Sequence, residues 1–587
     1  MKRSEVKDCY KWNLDSVMRA EEWEKAFASL SENKNALSKY VGKLKDKDAL
    51  LACLKEESDL SLRIENLYVY AKMKQDENTA IASSQSMVGR ANNLAAEISA
   101  SASFISPEII ASYTEEELVA LSREKAFEDY SYALTELARN RKRYLSDKEE
   151  KILARASELA GGYQNAFTMF DNADVKFAPV KNEEGKKVAL THGVYGELMM
   201  SKNRSVRRAA YKSMFTAYKD MINTVGALYL GNIKKDEFYS YFHGYNNALE
   251  MCMDGENVDV RAYQNLLESV NEGIPSLKKY LKTRKKMLGV PRLTMYDLHV
   301  PVVTGADLKL SYEEAYDLVI RALSCLGEDY VALLKEARDG GWIDVYETEN
   351  KRSGAYSWGT YTSHPYVLLN YKSTTHDVFT IAHELGHAMH SYKSDAAQPF
   401  PKAGYEIFVA EIASTVNEML LYRYLLKEGK TDRKYLLSYL ADMFRTTFFR
   451  QTMFAEFELK AHQKVEEEGT VTPSELCAIY SALNKKYYGA EPTDELISYE
   501  WARIPHFYSS FYVYKYATGI VSAAAISKDI FEGKKGALEG YMKFLSLGGS
   551  KPPLEILKEA GVDLTSKEPF EKALSLFAEA AEELSKV

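Results

Sequence analysis

Along most of this chain apolar residues recur at steps of three and four, the spacing of one face of an α-helix, with Lys, Glu and other polar residues between them. Prolines number 14 in 587 residues, so few of these runs are broken. The pattern predicts a mainly α protein. Residues 1 to about 115 read as an N-terminal helical region in which Lys43 to Glu57 is a solvated Lys/Glu face. A turn-like break at Ser106-Pro107 leads to a second helical group ending near Leu159, and capping boxes such as Ser146 with Glu149 add to the helical signal. Within the region 116–192, residues 171–191 read as strand and turn before helices resume at Val194. The remaining stretch, 193–587, reads as one large domain.

Two later segments depart from this background. Between Gly354 and Tyr371 aromatic and β-branched residues are punctuated by glycines, which predicts two short strands, the clearest β structure in the chain. Pro365 favours an edge strand over a central one. Such a pair is either an ordinary hairpin or an edge that takes up an extended peptide through main-chain hydrogen bonds. The second segment is the apolar run from Val378 to Met389. Ser373, Thr374 and Thr375 offer N-cap oxygens and Asp377 a carboxylate for the positive helix end, so a helix is predicted from about residue 376. Phe379, Ala382, Gly386 and Met389 form its buried stripe.

This predicted helix contains His383-Glu384-Leu385-Gly386-His387. One helical turn separates the histidines, so both imidazoles can reach one metal ion, with Glu384 beside it. Gly386 costs roughly 1 kcal/mol relative to alanine inside a helix, so something must approach the helix backbone closely there, most simply a packing helix. No cysteine lies nearby, which disfavours a closed structural zinc site. The longer metzincin pattern fails, since His390 stands where it needs glycine and Lys393 where it needs histidine. The third ligand is therefore sought downstream. The apolar segment from about Tyr405 to Leu426 carries Glu406, Glu411 and Glu418, and the last two share a face. A carboxylate on such a helix must be paired or metal-bound to offset desolvation, which favours Glu411 as ligand and Glu418 as its supporting partner. His390 competes for the third position, but three ligands from one helix crowd the metal on one side; a supporting or substrate-facing role suits it better.

Charge and composition narrow the field. The net charge of −8 gives no attraction to nucleic acid or acidic membranes. The N-terminus lacks the apolar core of a signal peptide, and no run of about 18 purely apolar residues occurs, so a cytoplasmic protein without membrane partners is expected. Five scattered cysteines without CxxC spacing fit reduced thiols. Tyrosine is abundant at 42 residues and densest between Tyr499 and Tyr516, where some rings must be core and others suit a wet cleft. Arg503 fits a substrate carboxylate or a structural acid equally well.

Three spaced blocks carry a resemblance: Thr380-Ile-Ala-His-Glu-Leu-Gly-His-Ala-Met-His390, Phe408-Val-Ala-Glu-Ile-Ala-Ser-Thr-Val-Asn-Glu418 and Arg503-Ile-Pro-His-Phe-Tyr508. Phe511 to Ala517, Gly548-Gly549-Ser550 and Pro553 to Leu557 extend it, as does Ser146 to Leu153 upstream. The chain resembles the thimet oligopeptidase family of zinc peptidases, and within it the oligoendopeptidase F branch, over roughly residues 140 to 587. The resemblance implies a helical zincin-type fold of two lobes around a deep substrate channel, with a small β-sheet near the active-site helix. It implies one zinc on His383, His387 and Glu411, Glu384 as catalytic base, and His506 with a tyrosine steadying the tetrahedral intermediate. Tyr508, Tyr512, Tyr514 and Tyr516 are the candidates, with Tyr514 favoured. The expected activity is hydrolysis of internal bonds in short peptides by a zinc-bound water that Glu384 activates. The alternatives are a zinc carboxypeptidase on a related helical fold and a peptide-binding protein that no longer cleaves. Cleavage preference and oligomeric state are not legible.

Overall fold

The computed structural model describes residues 1–303 and 308–586, and helices dominate them, as the periodicity predicts. The chain forms two compact units, each built from three separate stretches. The first comprises Met1–Asp147, Asp307–Tyr424 and Ile526–Val562, and the second Lys148–Ala306, Leu425–Ala525 and Asp563–Val587. The boundary expected near residue 115 falls inside the first unit and that near 192 inside the second.

In the first unit the long helix Lys47–Glu77 starts at Asp46, whose carboxylate accepts from the Ala49 N–H, and packs along Ala82–Ala102. Trp12, Trp23, Leu30, Leu67, Leu94 and Phe127 fill the core between these elements, joined by Tyr366 and Leu368 from a small sheet. Each fully buried side chain of this size contributes roughly 1.5–3 kcal/mol. The stretch Ala82–Ser112 has the length and mean hydropathy, 1.2, of a membrane span, although polar residues interrupt its apolar run; it is two helices, Ala82–Ala102 and Ile105–Ser112, and Ala91, Leu94 and Ile98 lie in the core. The break between them falls at Ser103-Phe104, and Pro107 occupies the first turn of the second helix, where its missing N–H costs nothing.

The sheet has three strands rather than the predicted two. Ile343–Asp344 runs parallel to Tyr366–Leu368, which pairs antiparallel with Tyr356–Trp358, Ser357 opposite Val367. The edges are thus Ile343–Asp344 and Tyr356–Trp358, and the strand after Pro365 is central. Pro365 sits just outside that strand and removes no ladder bond, so its presence did not force an edge.

In the second unit Tyr229, Phe457, Trp501 and Phe507 make a stack of rings with centroids 5.2–6.2 Å apart. The predicted strand and turn within 171–191 form a two-stranded hairpin, Val180–Lys181 against Lys187–Val188, and a helix follows at His192–Met199.

Candidate metal centre

The motif helix spans Thr375–Ala397. Thr374 caps it, its hydroxyl accepting from the Asp377 N–H, while the Asp377 carboxylate accepts from the Thr374 N–H at 2.8 Å and from its hydroxyl at 2.9 Å. Val378, Phe379, Ala382 and Met389 are buried along one side, which turns the histidine face outward from the core.

Gly386 explains how the third ligand arrives. A Cβ at this position would lie 2.5 Å from the Ser414 Cα and 2.6 Å from the Ala413 carbonyl oxygen. Only a residue without a side chain lets the helix Ile407–Glu428 cross at backbone distance. Asn417 fastens the crossing by donating to the Ala382 carbonyl at 3.0 Å. No motif marks Asn417 in the sequence; a buried amide on an apolar helix is its only signal.

At this crossing the expected ligands come together. His387 Nε2 is 3.2 Å from His383 Nε2, and Glu411 Oε2 is 3.4 and 3.5 Å from those two atoms. Zinc bonds of about 2.0–2.1 Å in tetrahedral array put neighbouring donors roughly 3.3–3.4 Å apart. The donor set and its spacing therefore fit one zinc ion. Among the described residues this is a group of three that could hold a metal. Glu418 accepts from His383 Nδ1 at 2.6 Å, which fixes the tautomer that leaves Nε2 free as a ligand. Glu411 itself is half-exposed, not buried as its apolar helix suggested, because the face that carries it opens outward.

The electrostatics concentrate negative charge. Burial pulls the His383 imidazole down, but Glu411 and Glu418 outweigh it and push it up to about 10; the two imidazoles hold the Glu411 carboxyl well below its ordinary range. A concentration of carboxylates around two imidazoles attracts a cation. Glu384 lies beside it and is nearly buried, and that burial raises its carboxyl while the imidazoles draw it back.

His390 is not part of this centre. It is 1 % exposed and sandwiched between Tyr405, at 3.8 Å between ring centroids, and Phe544, at 5.2 Å. Burial pushes its imidazole down to about 3, so it is a neutral core ring and not the supporting or substrate-facing group expected. The same end of the helix meets a sharp turn. Gly548, at φ +52°, and Gly549 press against Ser394, Lys402 and Gly404, and the Gly549 N–H donates to the Lys402 carbonyl at 2.8 Å.

The edge strand Tyr356–Trp358 packs beside the motif helix. Next to it opens a cleft of about 720 Å³ lined by Trp358, Gly359, Tyr405, Ser391, Asp395 and Glu65, among others. Burial and the neighbouring Glu65 push the Asp395 carboxyl up to about 7.

His506 and the tyrosine candidates belong to the second unit. The turn Pro505–Tyr508 exposes His506 and buries Phe507 and Tyr508, and desolvation lowers the His506 imidazole. Tyr512 stacks on His506 at 5.7 Å, and the Tyr516 hydroxyl lies 3.4 Å from His506 Nε2. Tyr514, the favoured hydroxyl, is 1 % exposed and packs edge-on against Tyr263 at 5.3 Å. Tyr514 opens the helix Tyr514–Phe531 on its buried side, whereas Tyr512, just before the helix, and Tyr516, within it, are half-buried. Arg503 lies 3.8 Å from the buried Glu500 and over the Tyr195 ring, which answers its ambiguity in favour of a structural acid.

Comparison with known proteins identifies the family. The model of peptidase family M3 matches residues 197–576, and that of the oligopeptidase F N-terminal region matches 110–177. Oligopeptidase PepF of Bacillus subtilis is 40% identical over 591 aligned residues, covering 100% of this chain and 88% of its own. Group B oligopeptidase PepB of Streptococcus agalactiae is 37% identical, with coverage of 99% and 98%. The crystal structure of oligoendopeptidase-F from Enterococcus faecium superposes with a TM-score of 0.75 at 32% identity, covering 96% of this chain and 98% of that one.

Proposed function

This chain belongs to peptidase family M3 as an oligoendopeptidase F homologue, and on that premise we propose that it is a zinc-dependent endopeptidase cutting internal bonds of short oligopeptides, with one zinc per chain on His383, His387 and Glu411. The observation that carries the reading is the mutual spacing of those three donors, 3.2–3.5 Å, at a helix crossing that Gly386 permits.

Zinc bound there would supply a Lewis acid and draw the pKa of a water toward about 7. Glu384 takes the proton as water attacks the peptide carbonyl, and passes it to the leaving nitrogen, serving as base and then acid. Its raised affinity for protons, a consequence of burial, suits both halves of that task. Glu418 keeps His383 oriented throughout. His506 and Tyr516 donate to the oxygen that becomes negative, each such donor being worth roughly 3 kcal/mol; Tyr516 takes the role first given to Tyr514. The half-buried edge strand Tyr356–Trp358 holds the substrate extended by main-chain hydrogen bonds, which bind many sequences with little discrimination.

An internally quenched peptide blocked at both ends tests this directly, with products identified by mass spectrometry. Internal cleavage stopped by a chelator and restored by zinc is expected. Trimming of free C-termini with blocked peptides left intact would make the protein a carboxypeptidase, and binding without cleavage of either substrate a binding protein.

A further inference from the structure

The second unit holds a set of buried polar groups that the proposed chemistry does not use. Phe511 separates the turn that carries His506 from the helix Tyr514–Phe531 that carries Tyr516. It is a bulky residue at φ +56°, the left-handed region, where only glycine rests without strain. Its N–H is buried and donates to Glu458 Oε1 at 2.7 Å. Glu458 is wholly buried on the helix Arg450–Glu468, and its second oxygen has no hydrogen-bond partner among the described residues.

Neighbouring groups bind the residues that precede Phe511. Ser510 donates through its hydroxyl to Asp236 Oδ2, and Asn232 Nδ2 donates to the Phe507 carbonyl at 3.2 Å and to Ser510 Oγ at 3.1 Å. His462 closes the cluster, its Nε2 3.3 Å from Asp236 Oδ2 and its Nδ1 2.9 Å from the Glu458 carbonyl, with its ring 4.6 Å from that of Phe511. Two helices, Ile222–Phe242 and Arg450–Glu468, thus grip the strained residue and the stretch just before it. A turn that only needed to connect two elements would place glycine at 511 and need no buried carboxyl. What the strained residue sets is the separation of His506 from Tyr512 and Tyr516.

We propose that Glu458 is a positioning residue for peptide hydrolysis: through the Phe511 N–H it holds the turn that fixes His506 against Tyr512 and Tyr516, with Asp236 and Ser510 as its auxiliaries. This rests on the donor role proposed for His506. Loss of the bond lets the strained residue relax and moves the donors without touching the metal centre, so turnover falls while substrate affinity and zinc content stay. Displacement by about 1 Å costs on the order of a hundredfold in rate.

The test is a double-mutant cycle on the full-length zinc-loaded protein with a blocked quenched peptide. Glu458→Leu should lower kcat by roughly ten- to a hundredfold with KM within about twofold, whereas Glu458→Gln, which keeps an acceptor oxygen, should stay within about threefold of wild type. On a His506→Ala background Glu458→Leu should cost less than about threefold more, because the group it positions is gone. Ser510→Ala, a smaller change, carries the same cycle if Glu458→Leu does not fold. A slow His506→Ala with multiplicative losses, or a Glu458→Leu protein at wild-type kcat, would overturn this inference alone. A His506→Ala protein at wild-type kcat would remove the donor role and this inference with it.

Discussion

The metal centre and the His506 turn both present polar groups at fixed positions, but they hold them in opposite ways. At the metal centre two regular helices cross at one glycine, and each ligand sits where the helical repeat puts it. At the His506 turn the backbone is strained at Phe511, and the position depends on carboxyls, an amide and an imidazole from helices far away in sequence. Periodic scaffolds advertise their function in local spacing. Irregular ones depend on partners that spacing does not reveal.

The largest effect that would sharpen the contrast is loss of the base. Glu384→Gln should cut kcat by about 10³–10⁴-fold, within the range general acid–base catalysis supplies, yet keep zinc at wild-type stoichiometry by elemental analysis; zinc lost along with activity would mean that Glu384 holds the metal. Next is the crossing itself. Gly386→Ala forces a methyl into 2.5 Å of the Ser414 Cα, so the helices must part, at a cost of about 1–3 kcal/mol, and Glu411 moves with them. A lowered melting temperature and faster zinc loss to a chelator are expected, and an unchanged protein would break the claim that this glycine sets the ligand geometry. Glu418→Gln should be gentler, weakening zinc affinity by roughly 10–100-fold by freeing His383 to rotate, as competition with a calibrated chelator would reveal.

The smallest effect lies in the other region and concerns pH. Burial pushes the Glu458 carboxyl up to about 8, above its ordinary 4.5. Its folded-state pKa is therefore raised, so its contribution to stability is fully present below about 4.5 and is lost as pH rises to about 8, over which the unfolded chain is already ionised. Glu458→Gln cannot titrate and should melt a few degrees above wild type at pH 8–9 but not at pH 5. Equal melting temperatures across that range would show that the carboxyl is not buried as described.

The contrast also explains what the sequence disclosed. His383, Glu384 and His387 were legible because a helix converts spacing into a shared face, and Glu411 with Glu418 followed by the same rule seven residues apart. The close approach at Gly386 was legible too, from the cost of glycine in a helix. Tyr514 illustrates the limit. Four tyrosines within nine residues look alike as a string, and which of them turn outward depends on where the helix begins after Phe511. Residues 343–344 escaped notice because two residues carry no period, and Pro365 misled because a residue just before a strand does not obey the rule for one within it. His390 shares the helix face of His383, yet its fate was set by Phe544, 154 positions later.

That last pairing has a bearing on how the protein is made. All three metal donors have been synthesised once Glu411 has left the ribosome, but the unit that contains them also requires Ile526–Val562. Until that stretch emerges, the motif helix lacks Phe544 over His390 and the Gly548-Gly549 turn against its far end. A nascent chain therefore carries His383, His387 and Glu411 long before it carries their support, and the centre they form can be fully backed only once residue 562 has emerged.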